Sequence, residues 1–232
     1  MSVPSRVEIR GVLFEGLNFG GKTTTTGRVY EMLEARGERV ERRRCHITKS
    51  EITDSLEVAA RQAVKDGTSR LFPNPDLLRP FHVLKSAQMI VDAEAAATSP
   101  YASDDGPILV QDRYWLSVFG GNEFFNPGEG YLSQQWRAQC TPRFTAQIYL
   151  TCSPAERKRR SLSRDGDAHG LNAYFRTNLD QLDRFDSFCR ELIADDPTWL
   201  ILSTDGLSPE EVAAAAVAEY DRAAASVRSA AI

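Results

Sequence analysis

Lysine is scarce in this 232-residue chain: Lys22, Lys49, Lys65, Lys85 and Lys158 are the only ones, and the remaining basic residues are arginine. With 28 basic against 32 acidic residues, a net charge of −4, the chain lacks the basic excess of a general nucleic-acid binder. Cysteine is sparse as well. Cys45, Cys140, Cys152 and Cys189 stand far apart with no C-x-x-C pair, a pattern of reduced, structural thiols in a cytoplasmic protein. No apolar run approaches the ~20 residues of a transmembrane helix, and residues 1–6 hold no apolar stretch of the kind a secretory signal needs. His46, His82 and His169 have no spacing that suggests a zinc site. What is present is 42% hydrophobic and 26% charged residues, an ordinary globular composition long enough for one sizeable core. The arginine bias suits forked contacts to phosphate, and coding composition produces the same bias.

Strand and helix patterns alternate along the chain. Val7–Glu15 is an apolar-rich run that predicts a first strand, and Lys22–Ala35 carries Val29, Met32 and Leu33 at helical spacing with Gly37 placed to end it. Arg39–Ile47 predicts a second, arginine-laden strand, and Ser50–Asp66 a helix closed by Gly67. The prolines of Leu71–Pro75 predict a loop, and Arg79–Thr98 a long helix with Pro80 near its start. Pro107–Asp112, Phe144–Cys152 and Trp199–Ser203 read as short buried strands. Ser153-Pro-Ala-Glu156 and Ser208-Pro-Glu-Glu211 are capping boxes with proline at the first helical position. Buried strands separated by helices predict one α/β domain over residues 1–232, a three-layer sandwich with a central parallel sheet flanked by helices.

Gly16-Leu-Asn-Phe-Gly-Gly-Lys-Thr23 fits G-x-x-x-x-G-K-[ST], the P-loop pattern, and lies between an apolar strand and an amphipathic helix. Glycines at Gly16, Gly20 and Gly21, with Asn18 and Phe19 between them, let backbone N–H groups turn inward around phosphate oxygens. The helix opened by Lys22, Thr23 and Thr24 aims its positive end at the same point. Lys22 is expected on the β and γ phosphates and Thr23 on magnesium, making ATP and Mg2+ the expected cofactors. The chain has no N-K-x-D string to read guanine, and Asp112 is followed by Arg113-Tyr114 rather than by glutamate. An arginine beside the magnesium-side carboxylate points to transfer onto a second substrate rather than to hydrolysis.

On these residues the chain resembles thymidylate kinase and the nearby deoxynucleoside kinases. The family loop F-E-G-L-D-G-x-G-K-[ST] appears as Phe14 to Thr23, and D-R-Y as Asp112-Arg113-Tyr114. Tyr149-Leu-Thr-Cys-Ser-Pro154, running into Glu156–Arg160, is similar to the family's Y-L-x-x-x-P-E segment, and Ile201–Asp205 with Ser208–Val212 to its last strand and helix. The resemblance implies Asp112 as a magnesium-side carboxylate beside Thr23, and Arg113 on the acceptor or the transferring group. It implies a mobile lid over about residues 157–170, with Arg160 and Arg164 closing on the phosphates. An arginine finger of this kind supplies about a thousandfold in rate. A solvated helix face is the alternative for these arginines, and Arg157 to Arg160 cannot all point at one site. Homodimers are common in the family, and the apolar face of Arg79–Thr98 would serve such pairing or would lie in the core.

The departures fall on the acceptor side. The family's loop aspartate is Asn18, the next glycine is Phe19, and R-E-P-G after the second strand is replaced by Cys45–Lys49 with Glu51 beyond. The helix R-x-Q appears as Ser86-Ala87-Gln88, with Lys85 expected to face elsewhere, and the family's Y-Q pair falls near Gly121-Asn122. The expected acceptor residues are therefore Asn18, His46, Glu51, Gln88, Arg113 and Asn122. His46 or Glu51 would supply a base, or would serve structure as a strand-end histidine and a helix-dipole partner. Phe119–Tyr131 would form an acceptor wall or a surface loop. Three functions fit: a nucleoside monophosphate kinase, dTMP being the family acceptor; a kinase for a nucleoside or other hydroxyl metabolite; and a nucleotide sensor without transfer activity. Hydrolysis on a macromolecular partner is a fourth. No nucleic-acid or membrane partner is expected.

Overall fold

The apolar runs form five strands: β1 Glu8–Glu15, β2 Val40–Arg44, β3 Ile108–Asp112, β4 Arg143–Thr151 and β5 Trp199–Ser203. All pair in parallel in the order β2-β3-β1-β4-β5, so β1 and β3 lie inside the sheet and every residue of β3 is buried. The computed structural model describes residues 6–67, 75–125, 127, 141–163 and 175–230. The helices are α1 Lys22–Ala35, α2 Glu51–Gly67, α3 Pro75–Ala96, α4 Trp115–Phe125, α5 Pro154–Ser163, α6 Leu179–Ile193 and α7 Pro209–Ala230.

Side-chain alternation along the strands divides the core into two layers. Val12, Phe14, Val110 and Ile148 meet Val29 and Leu33 of α1 and Ala213 and Val217 of α7 on one face. Leu13, Leu109 and Tyr149 meet Met89 of α3, Phe119 of α4 and Phe185 and Cys189 of α6 on the other. The sheet is thus covered on both faces, as the continuous apolar runs require.

The capping boxes start helices where expected. Ser208 Oγ accepts from Glu211 N at 3.2 Å while Glu211 Oε2 accepts from Ser208 N at 2.8 Å. At the other start only half of the box forms: Ser153 Oγ accepts from Glu156 N at 3.3 Å, but Ser153 N donates to Asp205 Oδ2 at 2.9 Å, and Glu156 is engaged by Arg159 and Arg160. Three stretches differ from the sequence expectation. Pro75 takes the first position of α3, where a missing N–H costs nothing, so that helix starts earlier than Arg79 and Pro80 is its sixth residue. Phe119 to Phe125 lie in α4 rather than in a loop, with Phe119, Gly120 and Gly121 buried; a Cβ on Gly120 would lie 3.3 Å from Cys189 Sγ, so its glycine lets α4 approach α6. Most of the stretch from 126 to 131 lies outside the described residues. Finally, α6 occupies a stretch to which the patterns above assign no element.

Candidate functional site

The loop between β1 and α1 depends on glycine at two points. At Gly16, φ is 132° and a Cβ would lie 2.2 Å from Leu150 O; at Gly21, φ is 90° immediately before α1. Phe19 also sits in the left-handed region, at φ 67°, and its side chain is buried in the same core cluster as Leu17. That burial offsets the roughly 1–2 kcal/mol cost of the conformation.

The buried Lys22 ammonium donates to Leu17 O at 2.6 Å. Burial holds its pKa well below the usual lysine range; Arg113 adds to this and Asp112 and Glu15 oppose it. Thr23 Oγ1 donates to Asp112 Oδ2 at 3.2 Å, while Asp112 Oδ1 is buried with no hydrogen-bond partner among the described residues. A hydroxyl beside a carboxylate with an unused buried oxygen fits magnesium, which binds through one or two protein oxygens plus phosphate and water. Among the described residues no group of three His, Cys, Asp or Glu forms a protein-only metal cage. Lys22, Thr23, Arg44, Arg113 and Arg160 line a cleft of about 720 Å³ over the loop.

Arg113 lies at the end of β3 with φ 67°, its N–H on Phe14 O at 2.8 Å and its Nη2 on Asn18 Oδ1 at 2.7 Å. Asn18 and Arg113 are therefore brought together across the loop. Glu15, absent from the expected set, holds this arrangement. Its fully buried Oε1 accepts N–H bonds from Tyr114 at 2.8 Å, Leu116 at 3.0 Å and Ser117 at 3.2 Å, and the Ser117 hydroxyl donates to Oε2. It caps α4 directly after Arg113 and fixes the β3 end to the phosphate loop. A glutamate inside an apolar strand immediately before the loop is the signal that marks it.

The arginines of α5 take separate roles. Arg160 lines the cleft, donating to Phe19 O at 3.3 Å, Thr204 Oγ1 at 2.9 Å and Thr204 O at 3.0 Å. Arg157 turns inward and is 1% exposed, donating to Asn18 O at 3.1 Å and Asp183 Oδ1 at 2.8 Å with Asp186 Oδ1 at 3.2 Å. Arg159 is exposed, and with Arg160 it hydrogen-bonds Glu156, whose carboxyl is pulled down to about 2 by those bonds. Arg164 and the rest of the expected lid to residue 170 lie outside the described residues.

The other expected acceptor residues are placed apart from the donor cleft. His46, its side chain 19% exposed, has Nε2 4.0 Å from Asp54 Oδ1 and lines a groove at the edge of β2; Glu51 is exposed at the start of α2. Gln88 is buried, donating to Thr53 O at 3.1 Å and accepting from Lys85 Nζ at 2.5 Å, which also meets Glu57 at 2.5 Å. Lys85 thus shares a face with Gln88, one turn apart, and does not point elsewhere as expected. Asn122 is half-buried on α4. The buried Asp92, not anticipated, accepts from Ile47 N and Thr48 N, both at 2.8 Å, and fixes the loop after β2.

No family model and no curated protein sequence matches the chain. Among solved structures, thymidylate kinase from Candida albicans, described as having broad substrate specificity, superposes with a TM-score of 0.62 over 92% of this chain and 93% of that one, at 16% identity. The chain shares the fold of that structure, a five-stranded parallel sheet flanked by helices. A likeness at this identity carries the fold and leaves the chemistry to the site. Among the described residues, no helix is long and apolar enough to cross a membrane.

Proposed function

We propose that the protein transfers the γ-phosphoryl group of ATP, with magnesium, to a small-molecule acceptor, in the manner of a nucleoside monophosphate kinase acting on a substrate such as dTMP. The observation that carries this reading is the Thr23–Asp112 hydrogen bond beside the buried Lys22, with Arg113 reaching Asn18 across the loop. Magnesium, when bound, neutralises and orients the donor phosphate oxygens. Thr23 and Asp112 would hold it. Lys22 and the loop N–H groups bind the phosphate chain, with Lys22 exchanging Leu17 O for phosphate oxygen. Arg160 lies at the loop beside Phe19 O and neutralises the charge that develops on transfer. Arg113 and Asn18 orient the acceptor hydroxyl or phosphate against the donor. Buried apolar neighbours of the loop, Leu17 and Phe19, keep water from that side. The protein works without a nucleic-acid or membrane partner, in the cytoplasm; Met89, Ala93 and Ala96 of α3 lie in the core, which is the other use that helix's apolar face was expected to have.

A second reading, an uncharged hydroxyl acceptor such as a nucleoside, is favoured by the engagement of Gln88 with Lys85 and Thr53 and by Ser86 where the resembled family has arginine. Both readings share one test. Thr23→Val is expected to raise the magnesium concentration needed for half-maximal turnover, and Arg160→Ala to lower kcat by about a thousandfold with little change in ATP affinity. Wild-type rates and magnesium dependence in both variants would remove the transfer mechanism.

A further inference from the structure

A second, open groove of about 650 Å³ follows the outer edge of β2, the terminal strand on that side of the sheet. Arg42, Arg44, His46 and Lys49 line it, with Tyr30 of α1 and Val40 beside them. Alternation along β2 puts Val40, Arg42 and Arg44 on one face, and Arg42 reaches α1 from it. Glu41 and Arg43, from the other face of the strand, also line the groove, and Arg43 and the Tyr101 hydroxyl engage Glu41 at 3.1 and 2.6 Å. The acidic residue of the lining is therefore already occupied.

Apart from a long pair between Arg44 and Asp112, Arg42, Arg44 and Lys49 make no ion pair among the described residues. Arg42 is exposed and donates to Thr23 O at 3.0 Å; Arg44 has a 66% exposed side chain, and its nearest acid, Asp112 Oδ2, is 4.0 Å away; Lys49 is exposed and makes no ion pair among the described residues. Such a concentration of positive charge on a chain of net charge −4 creates a local field that attracts anions. Two of these cations reach the magnesium-side pair: Arg42 binds the main chain of Thr23, and Arg44 borders both the groove and the donor cleft beside Asp112.

We propose that this groove is a regulatory anion site for a multiply charged phosphate chain, either inorganic or the tail of a second nucleotide. Arginine forks suit phosphate oxygens, and Lys49 adds a point charge at the groove's end. An anion seated there draws Arg44 away from Asp112 and leaves the carboxylate freer for a metal. Occupancy then tightens magnesium binding, and magnesium tightens occupancy by the same factor. This regulatory consequence rests on the kinase reading of Thr23 and Asp112; binding in the groove does not.

The test is calorimetric titration of inorganic tripolyphosphate in metal-free buffer into Lys22→Ala protein, whose donor loop is weakened as a competitor. Binding is expected to persist in Lys22→Ala and to weaken by at least about tenfold when Arg42→Ala and Lys49→Ala are added. Absence of binding to Lys22→Ala would overturn the proposal, leaving the cations as charges that keep an edge strand from pairing with another chain. Lys49→Ala alone should lose groove affinity while keeping wild-type affinity for magnesium-ATP; a matching fall in both would mean one site, not two. Titrating ATP beside tripolyphosphate separates the sources, since tighter ATP binding indicates a second nucleotide and equal binding a bare phosphate chain. At fixed free magnesium, groove binding without phosphoryl transfer to any acceptor would count against the kinase reading and leave the anion site standing.

Discussion

Lys22 and Arg157 are both buried cations, and their burial has different consequences. Lys22 has a single hydrogen bond to Leu17 O, and its pKa is pushed down by desolvation and by Arg113. A bound triphosphate would raise that pKa again, so ATP binding should take up a proton at pH values between the free and the bound pKa. Affinity should be highest at low pH and fall as pH rises through the depressed pKa of free Lys22. Calorimetry in buffers of different ionisation enthalpy measures this uptake, and its disappearance in Lys22→Ala assigns it. Arg157 is held by Asp183, Asp186 and Asn18 O, and its guanidinium stays charged. Removing it takes one of two arginines from the Asp186 carboxylate, which keeps Arg190 Nε at 3.1 Å and accepts from Tyr149 and Thr151. Arg157→Ala should cost about 1.5–3 kcal/mol in urea denaturation, and Arg157→Lys should recover little of it, because an ammonium cannot span the same forked contacts.

At the scale of elements, polar side chains at helix starts hold the site. Glu15 heads α4 and Asp92 fixes the loop between β2 and α2, each through several N–H groups. Glu15→Gln offers one acceptor oxygen where the carboxylate offers two, and should destabilise the fold by about 1–3 kcal/mol by thermal or urea denaturation. On α5, Glu156 carries a pKa lowered to about 2 by hydrogen bonds from Arg159 and Arg160. Because the folded value lies below the unfolded one, its contribution is present above about pH 4.5 and lost as pH falls toward 2. Melting curves of wild type and Glu156→Gln should therefore differ at neutral pH and converge on acidification.

Much of this level was legible in the sequence, and what was not has a physical cause. The extent of α1, the β3 and β5 strands and the Ser208 capping box follow from local periodicity and end chemistry, which depend on neighbours in the chain. Lys22 and Thr23 were expected from the spacing of the phosphate-loop pattern, whereas Asp112 and Arg113, far off in the chain, were expected from the D-R-Y resemblance. Leu182, Phe185, Cys189 and Ile193 also carry helical spacing, so α6 had a signal that the acidic residues between them obscured. Arg157 and Arg160 could not be told apart, since the partners that pull one inward lie on another helix. The engagement of Gln88 is likewise a contact between α2 and α3 that no local pattern contains.

For the molecule as a whole, the sheet order puts the carboxyl ends of β1 and β3 side by side, which sets the phosphate loop next to Asp112. That is where an open parallel sheet presents a ligand crevice. The donor half of the site is assembled there, whereas His46, Glu51 and Gln88 lie along the β2 and α2 side. The central claim is that this assembly moves a phosphoryl group to a second molecule. ADP release should be followed with magnesium-ATP against a panel of nucleosides, nucleoside monophosphates and other hydroxyl metabolites, with Lys22→Ala as the blank. Turnover should appear only when an acceptor is added and vanish in Lys22→Ala. ATP bound but never turned over with any acceptor, or turned over equally without one, would contradict it.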